Sequence, residues 1–174
     1  MELSLFSVYN LKVEYPSDWR VKLKDNSSRA RGHVAFLASN GSSGIFITWG
    51  ELHEAKKRFK DSREQAENSL KKMMKERPYG EEGLKILDQR ELEVGGHKGF
   101  MNHMHLKSLR FGVIPLFARP RLRDIYAVFL HCDESQRFFV IVGDFEPNEL
   151  DDPWKNLNYY LNSFDCHLKV RVKP

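Results

Sequence analysis

The fold is decided by the stretch Val13-Glu14-Tyr15-Pro16-Ser17-Asp18-Trp19-Arg20-Val21. Apolar and polar side chains alternate before Pro16 and again from Trp19, which is the pattern of half-buried β-strands. Proline has no backbone N–H for a strand ladder, so Pro16 ends the first strand and the next residues turn the chain. The stretch therefore predicts two short strands, residues 9–15 and 19–23, joined by a tight turn.

Beyond this stretch, strand patterns alternate with helix patterns. Residues 34–38 and 45–49 are apolar on both faces, which is typical of central strands. Apolar residues at spacings of three and four predict a long helix over 54–77. Gly95-Gly96 separates two apolar runs and is a strong signal for a two-residue hairpin turn. The remaining predicted strands are 84–94, 97–106, 125–132, 138–144 and 167–172, and a second helix is predicted over 148–163.

The order of these elements predicts an α+β fold in a single domain over residues 1–174. Short hairpins make neighbouring strands antiparallel. A helix with one apolar stripe must bury that stripe against a sheet face. We therefore expect an antiparallel sheet of about six to eight strands with helices on both faces.

Several local motifs resemble those of the PsbP-like superfamily. Residues 13–21 resemble the strand–Tyr-Pro-x-x-Trp–strand opening of its members, the hairpin 92–100 carries a glycine pair that members often have, and residues 157–168 resemble their closing helix-to-strand passage. The resemblance implies an α/β/α sandwich for nearly the whole chain. The superfamily includes the photosystem extrinsic protein PsbP and a Ran-binding nuclear import factor, and such unlike roles transfer no function. Residues 107–124 depart from the common pattern as a longer, more basic connection.

The composition indicates a mildly basic domain with enough apolar residues to form a hydrophobic core. The hydrophobic fraction of 41% suits a core in a chain of 174 residues, without a disulfide or a metal. The net charge of +4 permits an acidic partner without requiring one. The sequence has no apolar run of about 18 residues, and residues 1–10 lack the pattern of a signal peptide. We expect a cytoplasmic protein and leave its oligomeric state open.

The sequence contains none of the motifs that mark common enzyme classes. It has no G-x-x-x-x-G-K-[ST] phosphate loop and no G-x-G-x-x-G after a strand. Gly41-Ser42-Ser43-Gly44 lacks the G-x-S-x-G spacing of a nucleophile elbow. We interpret the chain as a non-enzymatic binding module without a cofactor, most simply a protein-interaction scaffold.

The segment 107–123 is the candidate binding surface. It has five basic residues and no acid before Asp124, with aromatic and apolar residues between them. This combination suits an acidic protein, a nucleic-acid strand or an anionic membrane surface. The alternative is a hairpin arm whose apolar residues cap one end of the core and whose arginines are only solvated. The predicted partner-binding residues are Lys107, Arg110, Phe111, Phe117, Arg119, Arg121 and Arg123.

A pair of histidines is the second candidate site. His103 and His105 are two residues apart on a predicted strand, so both point to one face. They could share a metal ion, with His131 as a third ligand, or contribute to a small-molecule site. Metal sites usually have additional ligand side chains pointing to the same place. We therefore prefer the interpretation that the two histidines lie on a solvated strand face with ordinary hydrogen bonds, and we assign no metal.

The two cysteines, Cys132 and Cys166, are predicted near strand ends, where they could be neighbours. Intracellular disulfides are rare, so free thiols are the preferred interpretation and a bond between them stays open. His131 and His167 adjoin the cysteines in sequence. Sequential neighbours on a strand point to opposite faces, which argues against a Cys–His pair.

Overall fold

The computed structural model describes residues 2–39, 41, 43–76, 83–109, 120–147 and 152–167. Its helices are α1 (Leu52–Lys56), α2 (Ser62–Glu76) and α3 (Pro153–Ser163). No helix among these residues is long and apolar enough to cross a membrane. The strands are β1 (Leu3–Val8), β2 (Leu11–Pro16), β3 (Arg20–Leu23), β4 (Gly32–Leu37), β5 (Gly44–Glu51), β6 (Leu84–Val94), β7 (His97–Leu109), β8 (Pro120–Cys132) and β9 (Arg137–Phe145).

Seven strands form one sheet in the order β3-β4-β5-β9-β8-β7-β6, and β1 and β2 form a separate hairpin. Every neighbouring pair in the sheet is antiparallel. Gly95 and Gly96 turn the chain between β6 and β7 with φ of 60° and 84°, the left-handed backbone that a two-residue hairpin requires. These observations confirm the predicted α+β fold and the predicted glycine hairpin.

The sheet buries a hydrophobic cluster on each face. Side chains of β8 alternate between the faces, so Val128 belongs to one cluster and Phe129 to the other. The first face is covered by α3, which contributes Leu157, and by the β1–β2 hairpin, which contributes Leu11 of β2. The second face is covered by α2, which contributes Leu70. Each buried leucine stabilises the fold by about 1.5–3 kcal/mol, so both helices are held by burial on the sheet.

The strand predicted over residues 9–15 is instead part of a hairpin. β1 and β2 pair along their full lengths, and Tyr9 and Asn10 turn between them with φ of 54° and 60°. Both turn residues adopt left-handed backbone, which asparagine tolerates better than most residues. The period-two pattern continues through this turn, so alternation alone does not show where the strand begins.

The long helix predicted over residues 54–77 is divided into α1 and α2. Asp61 Oδ1 accepts a hydrogen bond from the backbone N–H of Glu64 at 2.8 Å. Glu64 Oε2 in turn accepts one from the backbone N–H of Lys60. These carboxylates satisfy free N–H groups at the start of α2, so a new helix begins there although the apolar stripe runs on.

β7 and β8 are longer than the sequence predicted. The strand predicted over 97–106 continues to Leu109, and the strand predicted over 125–132 begins at Pro120. Basic residues interrupt the alternation of apolar and polar side chains in this part of the chain. Its backbone nevertheless continues the antiparallel pairing of β7 with β8. Part of the segment 107–123 is therefore sheet, where an irregular stretch was predicted.

Two predictions near the end of the chain are described only in part. The helix predicted over 148–163 is present as α3, and residues 148–151 lie outside the described residues. The strand predicted over 167–172 lies outside them beyond His167.

Arg137 joins distant parts of the chain inside the fold. The residue is 2% exposed, and burial lowers the pKa of its guanidinium. A buried charge is tolerated only when hydrogen bonds replace its hydration, so these contacts hold several segments against β9. The guanidinium donates to the backbone carbonyls of Tyr9 (3.0 Å), Arg29 (3.4 Å), Asn10 (3.3 Å) and Cys166 (2.6 Å).

Replacing Arg137 with Met tests the importance of these contacts. The variant keeps an extended side chain but leaves the buried carbonyl of Cys166 and three partly buried carbonyls without this donor. We therefore expect the free energy of unfolding to fall by about 3 kcal/mol. Urea denaturation followed by circular dichroism measures the change. Arg20→Met, on an exposed position of β3, is the matched control and should stay within about 0.5 kcal/mol of wild type. Equal stability of the two variants would show that Arg137 does not hold the segments together.

Candidate functional site

β7 and β8 extend past the rest of the sheet at one end. β6 begins opposite Leu106 of β7, and β9 ends opposite Asp124 of β8. The residues beyond these positions are 107–109 of β7, which pair with 120–122 of β8, and Arg123, which pairs with Leu106; they pair with no described strand other than β7 and β8. We call them the basic ribbon.

One face of the basic ribbon is neutralised by acids. Arg121 Nη1 lies 2.5 Å from Glu146 Oε1, and Arg123 Nε lies 2.7 Å from Asp144 Oδ1. Arg123 is opposite Leu106 of β7 in the register, so both arginines continue the face that α2 covers. The positive charge predicted for this segment is therefore partly compensated within the chain.

The other face of the basic ribbon combines a cation with an apolar side chain. Lys107 and Leu122 stand opposite each other in the register. Both are exposed, Leu122 by 40%. The other predicted partner-binding residues, which lie outside the described residues, are Arg110, Phe111, Phe117 and Arg119.

His103 and His105 share one face of β7, and a carboxylate from β8 joins them. Asp124 Oδ1 lies 2.7 Å from His103 Nε2 and 3.6 Å from His105 Nε2. The ring of His103 stacks on Tyr126 with 4.0 Å between centroids. Burial and the Asp124 carboxylate raise the pKa of Tyr126, so its hydroxyl remains a donor, 3.4 Å from Asp124 Oδ2. This arrangement can bind a divalent metal or persist as a hydrogen-bonded strand face.

His131 is not part of this cluster, so its predicted role as a third ligand is wrong. His103 pairs with Tyr126, which puts the even-numbered residues of β8 on the face of His103 and His131 on the other face. His131 Nε2 lies 2.8 Å from Gln65 Oε1 of α2. Burial, together with the charge of Lys56, lowers the pKa of His131.

A second cluster brings together His97, Cys132, Cys166 and His167. Each offers one possible ligand atom, and these atoms lie within 4.8 Å of one another. The two sulfurs are 3.1 Å apart. His167 Nδ1 lies 3.6 Å from Cys132 Sγ and 3.2 Å from Cys166 Sγ. Both cysteines are free thiols, with exposures of 0% and 1%.

Three parts of the chain position this Cys/His cluster. His97 begins β7 directly after the glycine turn, and Cys132 ends β8. The β7–β8 register, continued by two residues, sets them side by side. The residues after α3 are held by reciprocal backbone hydrogen bonds of 2.9 Å between Lys12 and Asp165. The next residues, Cys166 and His167, are thereby placed against the ends of the two strands.

The two thiols have opposite electrostatic character. The hydrogen bond from Cys166, assisted by the backbone N–H of Ser135, lowers the pKa of the Cys132 thiol, although burial raises it. The same sulfur–sulfur hydrogen bond and burial raise the pKa of the Cys166 thiol, while the charge of Arg137 lowers it.

Comparison with solved structures identifies the fold. Cyanobacterial PsbP (CyanoP) from Synechocystis sp. PCC 6803 is similar with a TM-score of 0.59, over 93% of this chain and 91% of that chain, at 11% identity. The Ran-binding protein Mog1p from Saccharomyces cerevisiae is similar with a TM-score of 0.52, over 94% of this chain and 86% of that chain, at 11% identity. The protein has the PsbP-like fold. No protein-family model and no curated protein matches the sequence.

The PsbP-like fold confirms the resemblance that the stretch 13–21 indicated. β2 ends at Pro16 and β3 begins at Arg20, with the turn between them. The ring of Trp19 packs towards the core, with its centroid 5.7 Å from that of Tyr160 in α3. At this identity the likeness concerns the fold alone, so function has to be argued from the sites.

Sequence reasoning missed His97 and Asp124, and it separated His167 from the cysteines. Apart from the adjacent Cys166 and His167, the members of the Cys/His cluster are far apart in the chain and lack the C-x-x-C spacing that marks many zinc sites. Antiparallel pairing of the predicted strands 97–106 and 125–132 would have placed His97 near Cys132, so the sequence contained a signal for His97. His167 was predicted on a strand, where it would point away from Cys166, but it lies in a bend after α3.

Proposed function

We propose that this protein is a non-enzymatic binding module that contacts an acidic protein partner through the basic ribbon and the adjoining residues 110–119. The observation that supports this is the strand register, in which β7 and β8 continue past their neighbours. The extension carries basic and apolar side chains away from the two buried clusters. A ribbon of this kind can also add a partner strand to its edge.

The charges of the basic ribbon favour a protein over a nucleic acid. Arg121 and Arg123 are paired with Glu146 and Asp144, so a continuous phosphate backbone crossing the ribbon would pass carboxylates. Separate acidic side chains of a protein can contact the cations individually and avoid those carboxylates. Sites for single-stranded nucleic acid combine a positive groove with aromatic stacking platforms. The described ribbon offers paired charges and the exposed Leu122, a mixture that suits the rim of a protein interface. The aromatic residues of the proposed surface, Phe111 and Phe117, lie outside the described residues.

A protein with the same fold provides an analogy for protein binding. The proposed function requires binding alone. Mog1p is described as a Ran-binding protein, so the same fold serves protein binding in another chain. The proposal includes no catalytic step and no cofactor. It keeps the cytoplasmic location expected from the sequence, where thiols such as those of Cys132 and Cys166 stay reduced.

Neutralising the basic residues of segment 107–123 tests this function. The test variant changes Lys107, Arg110, Arg119, Arg121 and Arg123 to Ser. Immobilised wild type and variant are incubated with nuclease-treated lysate of the source organism, and captured proteins are quantified by mass spectrometry. Because the partner is held by complementary charge, we expect capture of an acidic protein to fall by about tenfold or more.

A matched control changes the same amount of charge elsewhere. It replaces five exposed lysines with Ser, and it should capture the partner as wild type does. Equal capture by all three proteins would contradict the proposal. Tight, steeply salt-dependent binding of DNA or RNA probes that only the ribbon variant loses would assign the surface to nucleic acid instead. The control positions are Lys22, Lys24, Lys60, Lys71 and Lys75.

A second candidate function, metal binding, is supported by the position of Asp124. Its carboxylate lies within 3.6 Å of both imidazoles. With His103 and His105 it forms a set whose ligand atoms are within 4.8 Å of one another. Two imidazoles and one carboxylate are the ligand types of many divalent transition-metal sites. This proposal extends the predicted histidine pair by one ligand.

Asp124→Asn tests the metal site with little change in shape. Zinc should shift the imidazole resonances of His103 and His105 in wild type, and the variant should need about tenfold or more zinc for the same shift. Two-dimensional NMR titration measures both proteins. Asp133→Asn, which changes an exposed carboxylate, serves as the control and should behave as wild type. Resonances that do not move at saturating zinc would rule out this site.

A further inference from the structure

The donor atoms of the Cys/His cluster have nearly the spacing of a metal site. Zinc binds sulfur at about 2.3 Å and nitrogen at about 2.0 Å, so a tetrahedral site holds its donor atoms roughly 3.3 to 3.8 Å apart. In the cluster the sulfurs are 3.1 Å apart, and His167 Nδ1 is 3.6 Å and 3.2 Å from them. Shifts of less than about 1 Å would therefore admit the ion.

His97 has the surroundings of a metal-binding histidine. Its Nε2 is buried and has no hydrogen-bond partner among the described residues. Its Nδ1 lies 3.5 Å from Glu134 Oε2. Metal-binding histidines usually direct one ring nitrogen to the ion and donate the other N–H to a carboxylate or carbonyl. A metal ion would also satisfy the buried nitrogen, which otherwise carries the cost of an unpaired polar atom.

Neighbouring donors can support negative charge on the sulfurs. The backbone N–H of Ser135 donates to Cys132 Sγ at 3.2 Å. The guanidinium of Arg137 donates to the carbonyl of Cys166 at 2.6 Å, which places a buried positive charge beside the pair. Thiolates need such donors when they bind a metal away from water.

We propose that His97, Cys132, Cys166 and His167 bind one zinc ion in a structural site. Two thiolates and two imidazoles are a common ligand set for structural zinc, and thiolates favour zinc over magnesium or calcium. Four protein ligands leave no open position for a substrate, so the site stabilises the fold and has no catalytic role. The ion links the start of β7, the end of β8 and the chain after α3.

A disulfide is the competing explanation for the paired cysteines. It would bring the sulfurs from 3.1 Å to about 2.05 Å, a movement of the same size as the shifts that admit zinc. The imidazoles decide between the two, because a disulfide gives no reason for both of them to converge on the same point. The zinc site uses all four side chains and the orientation of His97.

Metal content of protein purified without an affinity tag tests the proposal. Wild type expressed with zinc should contain stoichiometric zinc by mass spectrometry after dialysis. Cys132→Ser combined with Cys166→Ser should lose this zinc. His103→Ala combined with His105→Ala, which removes the other candidate site, should retain it. Zinc that is absent from wild type, or a zinc content that is equal in the cysteine variant and in wild type, would overturn the assignment.

Cobalt binding to wild type keeps the test valid even if the cysteine variant fails to fold. Protein stripped with a chelator and loaded with Co²⁺ should show thiolate-to-cobalt charge transfer and the visible absorption of tetrahedral cobalt. Zinc should displace both. The cluster of His103, His105 and Asp124 has no sulfur, so it cannot produce the charge-transfer band. Absence of that band, or thiol labelling that finds the two cysteines oxidised to a disulfide in protein kept under reducing conditions, would also refute the zinc site.

Discussion

A buried guanidinium that donates to backbone carbonyls is the constraint on which the rest of the structure depends. Arg137 reaches carbonyls of the first hairpin turn, of the loop between β3 and β4, and of Cys166 after α3. Such a charge must keep its acceptors, because leaving it unpaired would cost several kcal/mol. The segments are therefore fixed together and not merely packed. The position of Cys166 beside Cys132, and with it the Cys/His cluster, depends on this side chain together with the backbone bridge between Lys12 and Asp165.

The two proposed activities occupy opposite ends of the same strand pair. The Cys/His cluster lies where β7 begins and β8 ends, and the basic ribbon lies where β7 ends and β8 begins. At about 3.3 Å per residue these ends are roughly 40 Å apart. The two hydrophobic clusters lie between them, so one end can be anchored while the other presents side chains to a partner. His103, His105 and Asp124 lie closer to the ribbon and share the face of Leu122.

The sequence was sufficient to predict the features that residues close together in the chain determine. Pro16 and Gly95-Gly96 act through their own backbones, so the turns, the antiparallel sheet and the PsbP-like fold could be read from them. The division between α1 and α2 depends on side-chain capping, which an apolar stripe does not record. The predicted metal-binding role of His131 is wrong because the face to which its side chain points depends on the register between β7 and β8. Only the folded sheet shows that register. The Cys/His cluster needs contacts between distant segments, and no local pattern encodes them.

The backbone bridge between Lys12 and Asp165 also bears on the order in which the protein folds. β2 packs under α3, and its Leu11 and Val13 are completely or almost completely buried. During synthesis these side chains leave the ribosome long before the helix that covers them exists. The first hairpin must then wait, partly uncovered, until α3 has emerged. Contacts of such long sequence separation slow folding and leave a nascent chain that chaperones can bind.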